Sequence, residues 1–100
     1  MSTSAALEKL EQYLLDHAAD FDTESLLLRE VAYKRLYHAF RNIELEPGEA
    51  LSAVWLSKIL GISRTPVREA LQQLATDGLI QIIQGRAVAI SARSPQEIYD

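Results

Sequence analysis

The sequence predicts a mainly α-helical fold with one small β-hairpin, organised round two helices joined by a tight turn. Three observations carry this. Residues 26–43 and 63–76 repeat apolar side chains at helical spacing. A shorter apolar-periodic stretch, 53–60, precedes the second of these and is parted from it only by Gly61-Ile62-Ser63. Finally, 79–83 and 87–91 are two runs rich in Ile, Val and Ala that bracket Gln84-Gly85-Arg86.

Residues 4–20 read as an extra N-terminal helix. Ser4 stands as its cap, and Leu7, Leu10, Leu14, Ala18 and Phe21 form its stripe. The polar, acidic run from Asp20 to Ser25 breaks it. It serves either as one more core helix or as an acidic element that packs on the rest of the domain or a partner. The next helix, 26–43, has Leu28, Val31, Ala32, Leu36, Ala39, Phe40 and Ile43 on one side, and Lys34, His38 and Arg41 opposite. That trio reads as a solvated face, with phosphate contact as the functional alternative. Pro47-Gly48 forbids continuation, and a very short strand is expected near Ala50-Leu51.

Ser52 can cap the 53–60 helix, which turns Ala53, Leu56, Ile59 and Leu60 inward. Val54 and Trp55 then form an apolar pair on its outer side, and the N-terminal stripe is the nearest cover. In the following helix Ser63 or Thr65 can cap the free backbone N–H groups. Pro66 fits because first-turn N–H groups have no partner within the helix. At ~100° per residue, Val67, Ala70, Leu71 and Leu74 share one face. Thr65, Arg68, Glu69, Gln72 and Thr76 share the other, with Arg64 beside them. A solvated surface helix could look the same. The short helix and tight turn before it favour a helix that enters a DNA major groove end-on: Arg for guanine edges or phosphates, Gln for adenine, Thr for phosphates or thymine methyls.

Asp77-Gly78 stops this helix, with Gly78 expected in the left-handed region. A three-residue connection, Gln84-Gly85-Arg86, would put Ile80, Ile82, Val88 and Ile90 on one hairpin face. Its tip would project an amide and a guanidinium toward a minor groove or phosphates. The closing Ser94-Pro95-Gln96-Glu97 looks like the start of another helix.

Length and composition bound the rest. One hundred residues suit one domain, and 48% hydrophobic content without a long apolar run gives no membrane span. No secretory signal opens the chain, and the lack of cysteine fits a reducing cytoplasm. His17 and His38 are too far apart for a local metal motif, and no metal, cofactor or enzyme motif is expected. The net charge of −4 argues against nucleic acid until it is divided. Residues 1–28 hold one Lys against six Asp/Glu, whereas 51–93 hold five Lys/Arg against Glu69 and Asp77. The positive charge thus falls on the helix pair and hairpin.

The stretch 45–90, from LEPGEALS through LGISRTPVREAL and LATDGLI to GRAVAI, resembles the N-terminal winged helix of GntR-family bacterial transcription regulators. The likeness runs from about residue 28 to 91, and Leu60 to Leu71 is nearly the family consensus. Ala53, Ser57, Val54-Trp55 and Ala87 depart from the usual pattern. The resemblance implies a winged helix-turn-helix over 26–92, preceded by an extension, 1–25. It also implies that 93–100 opens an all-helical effector domain lying beyond this chain. The implied function is a sequence-specific regulator, dimeric on an inverted repeat of double-stranded DNA and controlled by a small molecule through that second domain. By position, Ser63, Arg64, Thr65 and Arg68 match the family's base and phosphate contacts, and Gln84, Gly85 and Arg86 match its wing tip. Gln72 joins them from its place on the same helix face. The competing expectation is a winged-helix protein-interaction module without DNA affinity.

Overall fold

The computed structural model describes residues 4–19 and 26–90. Its helices are α1 (Ala5–Asp16), α2 (Leu28–Asn42), α3 (Ala53–Leu60) and α4 (Arg64–Thr76). An antiparallel hairpin of β1 (Ile80–Ile83) and β2 (Arg86–Ala89) follows. This is the mainly α winged helix-turn-helix architecture with an extra N-terminal helix. The expected break at 20–25 and the helix start at 94–97 lie outside the described residues.

Local chemistry sets most boundaries. The Ser4 hydroxyl accepts from Leu7 N–H at 3.1 Å and that of Ser52 from Trp55 N–H at 3.1 Å, each filling an orphan donor of a first turn. α2 begins without a hydroxyl cap. Instead the Glu30 carboxylate reaches back to accept from Leu27 N–H at 3.0 Å. Gly78, at φ +85°, ends α4: its N–H donates to Ala75 C=O at 3.1 Å and Leu79 N–H donates to Leu74 C=O at 3.0 Å. That paired pattern needs a left-handed residue after the helix, which glycine adopts without strain.

The core gathers Leu10 and Leu14 of α1, Ala32, Leu36 and Ala39 of α2, Leu56 and Leu60 of α3, and Val67, Ala70, Leu71 and Leu74 of α4, with Leu51, Ile80, Ala87 and Ala89 at the hairpin end. α2 and α4 make the most extensive helix contact. Of the expected α2 stripe, Leu28 is 52% exposed because it sits on the first turn, ahead of the part that packs. Ala18 is exposed too, since α1 ends at Asp16 and its stripe stops at Leu14. On the outer side of α3, Trp55 packs against the core while Val54 stays exposed. Arg41 of the α2 polar trio donates to the Tyr37 hydroxyl at 3.3 Å and lies over its ring.

The hairpin corrects the expected register by one residue. Ile83 pairs with Arg86 and Ile82 with Ala87, so the turn has two residues, Gln84 and Gly85, and Arg86 already belongs to β2. Both turn residues have positive φ, +51° and +78°, as a type I′ turn requires, and such a turn matches the right-handed twist of its strands. Cross-strand partners share a face, so Ala87 and Ala89 join Ile80 and Ile82 inside, and Val88 moves to the Gln81 side. The expected short strand appears as a bridge from Ala50 to Val88, reinforced by Leu51 N–H donating to Ala87 C=O at 2.9 Å and Ala89 N–H to Glu49 C=O at 2.8 Å.

Candidate nucleic-acid interface

The site is built on α4. Its Val67, Ala70, Leu71 and Leu74 are buried, which fixes the helix on α2 and α3 and leaves the opposite face outward. At ~25 cal/mol per Å2, such side chains stabilise by roughly 1.5–3 kcal/mol each, ample to hold a three-turn helix that would not persist alone. The turn before it is equally determined. Gly61, at φ +75°, donates its N–H to Ser57 C=O at 2.9 Å and reverses the chain within three residues. Ser63 is the N-cap of α4 by backbone conformation, but its hydroxyl makes no capping bond. That hydroxyl is exposed, as are Arg64, Thr65, Arg68 and Gln72. Among the described residues, no ion pair or hydrogen bond engages the Arg64 or Arg68 guanidinium. The first turn of α4 is therefore a rigid backbone carrying unpaired donors.

Two clefts flank the exposed ridge of α4. One, of about 390 Å3, lies between α4, the N-terminal end of α3 and the hairpin, and it brings Arg68 and Gln72 together with Gly85 and Arg86. The other, of about 710 Å3, lies between α2 and α4. Gln72 lines both, while Ser63, Arg64 and Thr65 stand at the helix tip and line neither. Gln84 is exposed at the hairpin turn. Sequence reasoning did not place Ser52, Ala53 or Val54 beside the recognition residues. The tight-turn spacing was the available signal, since it folds the start of α3 back toward the middle of α4.

The C-terminal end of α4 is tied down by polar bonds. Asp77 accepts from Gln73 Nε2 at 3.0 Å and from the Tyr33 hydroxyl of α2. The carboxylate beside it, first through the hydrogen bond and then through burial and charge, pushes the Tyr33 phenol up to about 12. At the other end of α2, Arg35 is buried and donates to Leu14 C=O at 2.8 Å and Leu60 C=O at 3.3 Å, with burial lowering its pKa. Arg35 was not foreseen: it interrupts the apolar α2 stripe, and nothing local marks it as interior.

A helix-turn-helix with a hairpin wing and an outward, cationic second helix defines a winged-helix protein of the nucleic-acid-reading kind. The description "Bacterial regulatory proteins, gntR family" matches residues 28–90, and the chain belongs to that family. It is 33% identical over 99 residues to an uncharacterised HTH-type transcriptional regulator of the TAR-I ttuE-ttuC' intergenic region of Agrobacterium vitis. That alignment covers 96% of this chain and 57% of the relative. An HTH-type regulator in an unstable DNA locus of Streptomyces ambofaciens is 39% identical over 72% of this chain and 30% of its own length. The Mycobacterium tuberculosis regulator Mce2R is 46% identical over 47% of this chain and 20% of its own. The chain thus spans about half or less of these relatives. No solved structure matches it. Family membership places it among DNA-binding regulators rather than enzymes. Among the described residues no helix is long and apolar enough to cross a membrane.

Proposed function

We propose that this chain is the operator-reading part of a ligand-controlled transcription regulator. In this reading α4 enters the major groove with Ser63, Arg64, Thr65, Arg68 and Gln72, and Gln84, Gly85 and Arg86 meet the adjacent minor groove or its phosphates. Two copies bind an inverted repeat, and a small-molecule effector acts through a domain beyond residue 100. Residues 26–92 form the reading domain, 1–25 an extension on it, and 93–100 the passage to the effector domain. The observation that carries the reading is the pairing on α4 of a fully buried underside with exposed, unpaired arginines at its N-terminal end.

A gel shift of the chain on DNA flanking its own coding region, across salt concentrations, tests it. A complex that weakens steeply as salt rises and prefers an inverted repeat is expected, because each neutralised phosphate releases counterions. The competing reading, a protein-interaction module, draws on the exposed apolar Val54. Arg64→Ala with Arg68→Ala separates the two: a regulator loses its operator, whereas an interaction module has none to lose.

A further inference from the structure

The two clefts beside α4 differ in charge. Glu30, Glu69 and Asp77 line the α2 cleft together with Arg29 and Lys34. No Asp or Glu lines the hairpin cleft, where Arg68 stands on one wall and Arg86 on the other. The first turn of α3 also opens onto it, adding the positive end of a helix dipole. Val54, 39% exposed, contributes an uncharged surface there. An uncompensated cationic cleft of this kind fits a polyanion and not a neutral peptide.

Geometry narrows the occupant further, given the DNA reading above, on which this inference rests. Between a major groove and the minor groove next to it runs one sugar–phosphate strand, because that strand is their common boundary. With α4 in the first and the hairpin tip in the second, the strand must pass between them. We propose that the hairpin cleft is the seat of that strand. Arg68 and Arg86 pair with phosphates of the same strand from opposite sides, and Val54 forms an apolar floor against its sugars. Arg68 is then a positioning residue, and base reading falls to Arg64 and Thr65 at the helix tip. Phosphate contacts fix register and carry no sequence information, so the two roles separate in experiment.

The test uses the 100-residue chain, the tightest duplex selected from a random-sequence library, and a random-sequence duplex. Binding is measured across a salt series and with single uncharged methylphosphonate linkages placed along each strand of the selected duplex. Arg68→Ala and Arg86→Ala should each lower the slope of log affinity against log salt by about one on both duplexes. Both should become insensitive to methylphosphonates at neighbouring linkages of one strand. Val54→Lys should raise the slope by about one, since it adds a cation where phosphates lie. All three side chains are exposed, and unchanged unfolding midpoints would show that the variants fold. Sensitivity mapping to opposite strands would overturn the seat. So would Arg68→Ala erasing preference at a single base pair with phosphate sensitivity intact, or Val54→Lys leaving the slope unchanged. If the unaltered chain binds neither duplex at any salt, the DNA reading fails and takes the seat with it. If it binds both but maps otherwise, only the seat fails.

Discussion

Arg35 and Arg64 carry the same guanidinium into opposite surroundings. Arg35 is 9% exposed and reaches the carbonyls of Leu14 and Leu60, in the last turns of α1 and α3. Arg64 is exposed at the first turn of α4, and no described residue pairs with it. A buried cation ordinarily needs an anion, yet here the negative ends of two helices take that place. The inner junction therefore ties the N-terminal helix to the helix-turn-helix without a carboxylate. What the difference teaches is a division of labour: carbonyls satisfy the structural arginine, and the outer ones are left for a ligand to satisfy.

The sharpest way to break this comparison is to loosen what holds the outer arginines in place. Leu74 is fully buried on the underside of α4. Leu74→Ala should cost ~2–5 kcal/mol through lost burial and the cavity left behind. Urea unfolding measures it, and a loss under ~1 kcal/mol would mean that α4 is not anchored through this face. Arg35→Ala comes next. It leaves the Leu14 and Leu60 carbonyls without their donor and should cost ~1.5–3 kcal/mol, the range for hydrogen bonds to a charged group. Hydrogen exchange should show α1 opening before α2 in this variant. Equal protection across both helices would contradict the role assigned to the junction.

The outer arginine should answer in the reverse sense. Arg64→Ala should leave unfolding stability within about 0.5 kcal/mol, as surface substitutions usually do. In operator binding it should lose ~1–3 kcal/mol, the worth of one bidentate base contact, and relax preference at that base pair. Stability and binding measured on one preparation show which arginine serves which purpose. If Arg64→Ala lowered both equally, the contrast with Arg35 would dissolve.

What could be read from the sequence follows the same line between local and distant causes. Ser4, Ser52, Gly61 and Gly78 were legible, because each cap or turn is decided within a few residues. The outward face of α4 was legible from its own periodicity. Arg35 was not, because its partners lie 21 and 25 residues away. The hairpin register failed for a subtler reason. Gln84 takes a positive φ that non-glycine residues seldom adopt, and that single dihedral shortened the turn and exchanged Val88 for Ala87 in the interior. The gathering of Arg68 and Arg86 into one cleft likewise depends on how the hairpin packs, which no local pattern encodes.

The smallest expected effect sharpens the comparison from the far end of α4, where a neutral donor rather than a cation holds the helix. The Tyr33 hydroxyl donates to Asp77, and its pKa is raised from 10.0 to about 12. A raised folded-state pKa means that between these values the folded protein keeps a proton which the unfolded chain has released. Stability from this bond is thus fully present below pH 10 and falls as pH climbs toward 12. Tyr33 is partly open to solvent, so the fall should be shallow. Tyr33→Phe should remove it, leaving a variant slightly weaker at neutral pH whose deficit closes in alkali. Unfolding midpoints of both proteins across that interval measure the convergence. Parallel curves would show that the phenol proton does not hold the end of α4, and that the buried underside fixes the helix alone.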